Sequence, residues 1–182
     1  LLFTSPPYGQ QRNYTTGGIA DWDGLMQGVF AAAEGALAPS AQVLVNLGMI
    51  HRENEWQPYW QNWLTWMRTQ GWRRFGLYVW DQGPGLPGDW NGRLAPSFEF
   101  IFHFNREARR PNKIVPCKHA GHAHAAHGGM RSKDGTVGAW QHAGQGVQDM
   151  RIPDNVLRIT RQKHRGIETD HPAVFPIKLP AF

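Results

Sequence analysis

The chain opens with Leu1-Leu2-Phe3-Thr4-Ser5-Pro6-Pro7-Tyr8, an apolar run that ends in hydroxyl residues, two prolines and an aromatic ring. The apolar residues predict the end of a buried strand, and the prolines end strand pairing because proline lacks a backbone N–H. Proline also restricts the residue before it, so the following loop is stiff. Open α/β sheets bind ligands at such carboxyl-end loops. Ser5 offers an acceptor hydroxyl and Tyr8 a flat ring, and both suit a nucleobase with an exocyclic amino group.

The rest of the chain alternates between helical and strand patterns. Apolar residues recur at helical spacing at Leu25, Met26, Val29, Phe30, Ala33 and Leu37, with Asp21 as a candidate cap and Pro39 as a stop. We therefore predict helices over 19–37 and 53–71 and strands over 41–50, 74–80 and 98–105, and a further short apolar stretch spans 152–160. The second helix would bury a stripe formed by Trp56, Trp60, Trp63, Leu64 and Met67. This order of elements predicts a doubly wound α/β domain.

Composition narrows the class of protein. The 182 residues carry a net charge of +5, which favours a polyanionic partner such as nucleic acid. The single cysteine, Cys117, excludes a disulfide within the chain and fits a reducing compartment. No apolar run approaches the length of a membrane span, and no leader pattern is present, so we expect a cytoplasmic protein.

Two motifs carry a resemblance to a known family. Thr4-Ser5-Pro6-Pro7-Tyr8 resembles the catalytic motif of amino-methylating DNA methyltransferases, and the segment from His171 to Pro180 is similar to the one that precedes their cofactor loop. The order of the two motifs is that of the permuted, or β-class, enzymes. The resemblance implies a Rossmann-like, S-adenosylmethionine-dependent methyltransferase fold that acts on double-stranded DNA. It also implies a bacterial, archaeal or phage-encoded enzyme, with a restriction endonuclease as a potential partner.

The resemblance also implies roles for individual residues. The catalytic set would be Ser5, Pro6, Pro7 and Tyr8, and the cofactor-binding set would be Thr4, His171, Pro172, Phe175 and Pro176. Ser5 Oγ and the Pro6 carbonyl would accept hydrogen bonds from the target amine, while Tyr8 would stack on a base flipped out of the duplex. Serine at this motif position favours N4 of cytosine as the target, with N6 of adenine as the alternative.

The resemblance also implies a division of the chain into three segments. Residues 1–105 would form the catalytic half, 106–150 a target-recognition insertion, and 151–182 the return to the methyltransferase domain. The predicted DNA-binding residues are Arg12, Lys118, Arg131, Lys133, Arg161, Lys163 and Arg165. We predict no metal site among Cys117, His119, His122, His124 and His127, because structural zinc takes ligand pairs from separate chain segments and these five crowd into one.

One departure from the family pattern concerns the cofactor loop. The permuted enzymes follow the His-Pro segment with an acidic, glycine-rich loop, and no such loop appears in this sequence. We therefore expect a fragment, with a partner chain or a catalytically inactive DNA-binding remnant as the alternatives. A methyltransferase for RNA or protein amines is a further possibility, since similar turns serve other amines.

Overall fold

The computed structural model describes residues 1–9, 21–124, 129–161 and 176–180. The chain forms two compact units, Leu1–Arg109 with Asn155–Phe182 and Arg110–Asp154. The elements in chain order are β1 (Leu2–Thr4), α1 (Trp22–Ala33) with a short 3-10 turn (Glu34–Ala36), β2 (Gln42–Leu47), β3 (Ile50–Arg52), β4 (Glu55–Gln57), α2 (Gln61–Thr69), β5 (Arg73–Asp81), β6 (Phe98–Asn105), β7 (Val115–Pro116), β8 (Gly129–Arg131), β9 (Val137–Ala139), β10 (Met150–Arg151) and β11 (Val156–Arg158).

A mixed five-stranded sheet organises the first unit. Its strand order is β1-β2-β6-β5-β11. The pairs β1–β2 and β5–β11 are parallel, whereas β6 runs antiparallel to both β2 and β5. Four strands therefore share one direction, and the carboxyl ends of β1 and β2 meet the start of β6 at one edge. The predicted α/β class is confirmed.

The two faces of the sheet carry separate apolar clusters. The larger cluster packs α1 and α2 on one face, and the smaller cluster on the other face contains Trp80, Ile101, Leu157 and Leu179. Alternation along β2 produces this division, because Val43, Val45 and Leu47 join the helices while Leu44 packs on the opposite cluster. Both described helices lie on one face, so the doubly wound arrangement stays a prediction.

The first helix begins at its predicted cap. Asp21 accepts a hydrogen bond of 2.8 Å from the backbone N–H of Gly24, which satisfies one of the unpaired donors of the first turn. The buried stripe differs from the expected one: Trp22, Met26 and Phe30 are buried, whereas Leu25 and Val29 are exposed. Side chains at intervals of four form a single narrow line along a helix, and only that line meets the sheet.

The predicted helix over 53–71 is wrong in its first half. A β-hairpin, β3–β4, occupies that part, and α2 begins only at Gln61. Glu53 and Asn54 both have positive φ angles, 50° and 63°, which is the backbone of a tight hairpin turn and is incompatible with a helix. Trp56 therefore lies half-exposed on β4 instead of in the helical stripe. Gly71 ends α2 with φ +81°, as its position predicted.

The second unit consists of short strands and turns. Antiparallel pairs form between β7 and β10 and between β8 and β9. None of the described residues between 110 and 154 is buried. In the part of the chain that the structure describes, no helix is long and apolar enough to cross a membrane.

Candidate active site

Hydrogen bonds to backbone carbonyls hold the loop that follows β1. The indole Nε1 of Trp22, at the start of α1, donates to the Pro7 carbonyl at 2.7 Å. Arg52, at the end of β3, donates through Nη2 to the Gly9 carbonyl at 3.2 Å. Neither proline can donate a backbone hydrogen bond. The loop is therefore held through its acceptors by two separate elements.

The hydroxyl of Tyr8 lies at the centre of a polar network. It donates to Glu99 Oε2 at 2.6 Å, and the Asn46 side chain donates to it at 2.8 Å. Asn46 Nδ2 also donates to Glu99 Oε2 at 2.5 Å. On the other side, Ser5 Oγ lies 3.3 Å from the Tyr8 hydroxyl. The network thus joins the loop to β2 through Asn46 and to β6 through Glu99.

Burial and charge both act on Tyr8. Burial, followed by the negative charge of the Glu99 carboxylate, raises the pKa of Tyr8 well above its ordinary value. The phenol therefore stays protonated at neutral pH and remains a donor to Glu99. Asn46 is fully buried, and its Oδ1 has no hydrogen-bond partner in the described structure. A buried acceptor without a partner is costly, and such groups recur at functional sites.

Glycine is required where the Tyr8 ring crosses the chain after β2. A Cβ atom added at Gly48 would lie 2.6 Å from Cε2 of Tyr8, closer than van der Waals contact allows. The Gly48 carbonyl accepts a hydrogen bond of 3.0 Å from the Tyr59 hydroxyl. The Tyr8 ring is therefore packed against backbone while its hydroxyl reaches the polar network.

Comparison with known protein families assigns the chain to one of them. A family model described as DNA methylase, of the N6/N4 type, matches residues 1–182. The chain belongs to the DNA methylase family. No curated protein sequence matches the chain.

The fold of the chain also matches that of a solved methyltransferase structure. It is described as a PvuII DNA methyltransferase, cytosine-N4-specific, and matches with a TM-score of 0.57 at 18% sequence identity. The match covers 98% of this chain and 60% of that chain, so the methylase chain described here spans about three-fifths of its structural neighbour. The chain therefore shares the overall fold of that structure.

The predicted catalytic residues of the methylase chain lie together. Ser5, Pro6, Pro7 and Tyr8 follow β1 directly, at the carboxyl end of the sheet. Of the predicted cofactor residues, Thr4 is the last residue of β1 and pairs with Val45. Pro176 is buried in a turn whose Leu179 joins the smaller apolar cluster. His171, Pro172 and Phe175 lie outside the described residues.

The predicted DNA-binding residues are spread over both units. Arg161, just after β11, donates from Nε to Gln82 Oε1 at 2.6 Å and from Nη2 to the Pro96 carbonyl at 3.4 Å. It therefore ties down the loop between β5 and β6, and its contact with DNA stays a prediction. Three further predicted residues, Lys118, Arg131 and Lys133, are exposed in the second unit. Arg12, Lys163 and Arg165 lie outside the described residues.

An open cleft lies beside the loop that follows β1. Its volume is about 480 Å³, and its lining includes Gly9, Arg52, Trp90 and Arg93. Arg93 Nη1 donates to Asn54 Oδ1 at 3.2 Å, which joins the turn of the β3–β4 hairpin to the long loop before β6. Cationic and aromatic side chains in one cleft are suited to phosphate and base contacts. Among the described residues, no three metal-ligating side chains form a group that could hold an ion.

Sequence reasoning did not identify Asn46 and Glu99 as site residues. Both left a signal: Asn46 interrupts the apolar run of β2, and Glu99 is a carboxylate between two phenylalanines of β6. A polar residue within a buried strand is costly unless it has partners or a function. Such residues near the carboxyl end of a sheet are candidates for the site even when no motif contains them.

Proposed function

We propose that this chain forms the target-base side of a DNA methyltransferase that methylates the exocyclic N4 amine of a flipped cytosine. The observation that carries the proposal is the network in which Ser5, Tyr8, Asn46 and Glu99 converge after β1. Ser5, Tyr8 and Glu99 can accept or pass on a proton of the amine, and Asn46 holds Tyr8 and Glu99 in place by donating to both. N6 of adenine presents the same amine chemistry and is the alternative target.

The network supports proton removal from the amine. An exocyclic amine carries two N–H groups, and its nitrogen must lose one proton when it gains a methyl group. Ser5 Oγ would accept a hydrogen bond from the amine, which favours a localised lone pair on nitrogen. Ser5 Oγ, the Tyr8 hydroxyl and the Glu99 carboxylate form a continuous path along which the proton can move. Glu99 is the anionic end of that path.

The residues around the loop fit a cationic methyl donor. S-adenosylmethionine, which methyltransferases use, supplies a methyl group already activated on a sulfonium. The end of β1 is rich in acceptors, and the Tyr8 hydroxyl links Ser5 to the Glu99 carboxylate, so the environment stabilises positive charge. Thr4 and Pro176 would border the donor, together with His171, Pro172 and Phe175.

The experiment is a methyl-transfer assay with the whole encoded protein, isotopically labelled S-adenosylmethionine and mixed-sequence duplex DNA. Mass spectrometry of the digested DNA separates N4-methylcytosine from N6-methyladenine. We expect N4-methylcytosine, and we expect Ser5→Ala to reduce its rate by about 10²-fold because a first acceptor is lost. The matched control is Ser40→Ala, which removes a hydroxyl from the connection between α1 and β2. Methylation of adenine alone would support the alternative target. The same assay is repeated with RNA and with protein as competing substrates. Transfer of the label to RNA or protein, with none to DNA, would refute the proposal.

A further inference from the structure

The second unit contains an internal duplication of backbone and sequence. His119-Ala120-Gly121 recurs as His142-Ala143-Gly144, 23 residues later. Each copy follows a short strand, β7 or β9, and continues into a turn and an isolated β-bridge residue. Three consecutive identities would be a weak signal alone. The repeated conformation makes the two segments structural equivalents.

The hydrogen bonds of the two turns match one by one. In the first turn Ala120 N–H donates to the Cys117 carbonyl and His122 N–H to the His119 carbonyl. In the second turn the corresponding donors and acceptors are Ala143 to Trp140 and Gln145 to His142. The glycine at the same place in each turn has a positive φ, +78° at Gly121 and +74° at Gly144, which side-chain-bearing residues rarely adopt.

The two copies pair with each other about a near two-fold axis. Ala123 pairs antiparallel with Gly146, and these residues are themselves 23 apart. Around that bridge, Gly121 N–H donates to the Val147 carbonyl at 2.9 Å, and the equivalent Gly144 N–H donates to the His124 carbonyl at 3.2 Å. The outer strands follow the same exchange: β7 pairs with β10, and β8 pairs with β9. Each copy thus completes its pairing with the other.

Each turn brings its third and sixth residues together on the surface. The rings of His119 and His122 are 6.3 Å apart between centroids, and His142 Nδ1 lies 3.2 Å from Gln145 Oε1. Histidine and glutamine side chains can exchange hydrogen bonds with base edges. The two turns have one backbone geometry but different chemistry at the sixth position.

The composition and burial of the second unit indicate the kind of partner that binds its surface. Residues 110–154 contain six lysines and arginines against three aspartates, and no described residue among them is buried. A module without a buried core gains little from the hydrophobic effect by itself. Its excess of positive charge on an exposed surface suits a polyanion.

We propose that the second unit is a duplicated DNA-reading module in which the two turns, 117–122 and 140–145, contact duplex DNA at two separate base pairs. The inference rests on the proposed function, which supplies duplex DNA as the partner. The near two-fold axis that relates the two turns also relates the two contacts, as symmetric proteins and their sites are related.

The test is selection of bound duplexes from a random-sequence DNA library with the whole encoded protein, followed by fluorescence anisotropy on the selected sequence. We expect two preferred positions, one for each turn. His119→Ala should erase one preference and His142→Ala the other, each with about tenfold weaker binding, as is typical when one base-specific hydrogen bond is removed. Asn112→Ala, an exposed polar residue in neither turn, is the matched control and should leave both preferences.

A second variant keeps the test informative if an alanine variant fails to fold. Gln145→His gives the second turn the chemistry of the first at its sixth position, and the second base preference should then resemble the first. Wild-type affinity and preference in both histidine variants would overturn the proposal. Loss of the same position in both, or tighter binding to duplex RNA, would overturn it as well. Because binding is measured without methyl transfer, its outcome is independent of whether the methylation assay succeeds.

Discussion

At the scale of single residues, burial and the contact with Glu99 both favour the protonated form of Tyr8. Burial contributes most to the raised pKa of Tyr8, and the Glu99 carboxylate adds to it. Glu99→Gln should therefore lower the pKa of Tyr8 part of the way toward its ordinary value near 10. The measurement is an ultraviolet titration of phenolate, with Glu99→Gln compared against Glu99→Gln/Tyr8→Phe to isolate this tyrosine. An unchanged Tyr8 pKa would mean that the carboxylate does not act on the phenol.

The sign of the linked stability follows from the direction of that shift. Tyr8 is protonated in the folded protein to a higher pH than in the unfolded chain. Its contribution to the free energy of unfolding is therefore complete below pH 10 and is lost as the pH rises further.

The substitution Glu99→Gln should also reduce methyl transfer by about 10²-fold, because the proposed proton path loses its anionic end. Glu107→Gln, an exposed change after β6, is the control and should retain the full rate.

Single residues of this site were predictable only where a motif contained them. Ser5 and Tyr8 stood out because they flank the two prolines that follow a strand. Glu99 lies 91 residues from Tyr8, and only the register of the sheet brings them within 2.6 Å. The pairing of β2 with β6 sets Asn46 opposite Ile101, two residues from Glu99. Such a register depends on the whole sheet, so local patterns do not reveal it.

At the scale of elements, a line of polar side chains crosses three neighbouring strands near the far end of the sheet. The hydroxyl of Tyr78 on β5 lies 2.7 Å from His103 Nδ1 on β6. On the other side of the ring, His103 Nε2 lies 3.0 Å from Gln42 Oε1 on β2. Asn105 also donates to Gln42 Oε1. Because that oxygen can only accept, His103 donates through Nε2 and accepts from the Tyr78 hydroxyl through Nδ1. The neutral imidazole thus satisfies all its partners.

Burial lowers the pKa of His103, so the folded protein favours the neutral ring more than the unfolded chain does. The stability from this group is present above pH 6.5 and is lost as the pH falls below it. We expect the free energy of unfolding, measured with urea at several pH values, to fall in acid more steeply for the wild type than for His103→Gln. That variant should also be less stable by about 1–3 kcal/mol at neutral pH, because a buried hydrogen bond is lost. Parallel pH profiles for the two proteins would contradict the assignment.

Elements could be predicted from the sequence where local preference and burial agree. The strand over 98–105 has the predicted bounds, since the phenylalanines at positions 100, 102 and 104 all pack on the cluster that contains the helices. The β3–β4 hairpin could not be predicted, because its tryptophan continues the helical spacing of α2. The turn requires positive φ angles at Glu53 and Asn54, and residues other than glycine rarely adopt such angles. Hydrogen bonds from Asn91 and Arg93 to Asn54 offset that cost.

At the scale of the whole molecule, the two units differ in how they are stabilised. The first unit packs tryptophan, methionine and valine side chains on its sheet, whereas the described part of the second unit has no buried residue. Composition alone indicated a different character for the second unit, because its lysines, arginines, histidines and glycines lack apolar periodicity. The duplication within it could not be predicted from three matching residues, since only the shared backbone of the two turns makes them equivalent.

Binding of a polyanion should therefore depend on salt through the second unit. Removing one phosphate-binding cation from a complex with B-DNA reduces the slope of log K against log salt by about 0.9. Replacing Lys118, Arg131 and Lys133 together by glutamine should lower the slope by about 3 if each holds one phosphate, with weaker binding to all sequences alike. The matched control replaces three exposed arginines by glutamine, Arg68 at the end of α2 and Arg73 and Arg74 at the start of β5. They lie at the end of the sheet away from the loop that follows β1. Anisotropy titrations between 50 and 200 mM salt (roughly the range over which such slopes are read) provide the measurement. An equal decrease of slope in the two triple variants would mean that DNA responds to net charge alone and not to this surface.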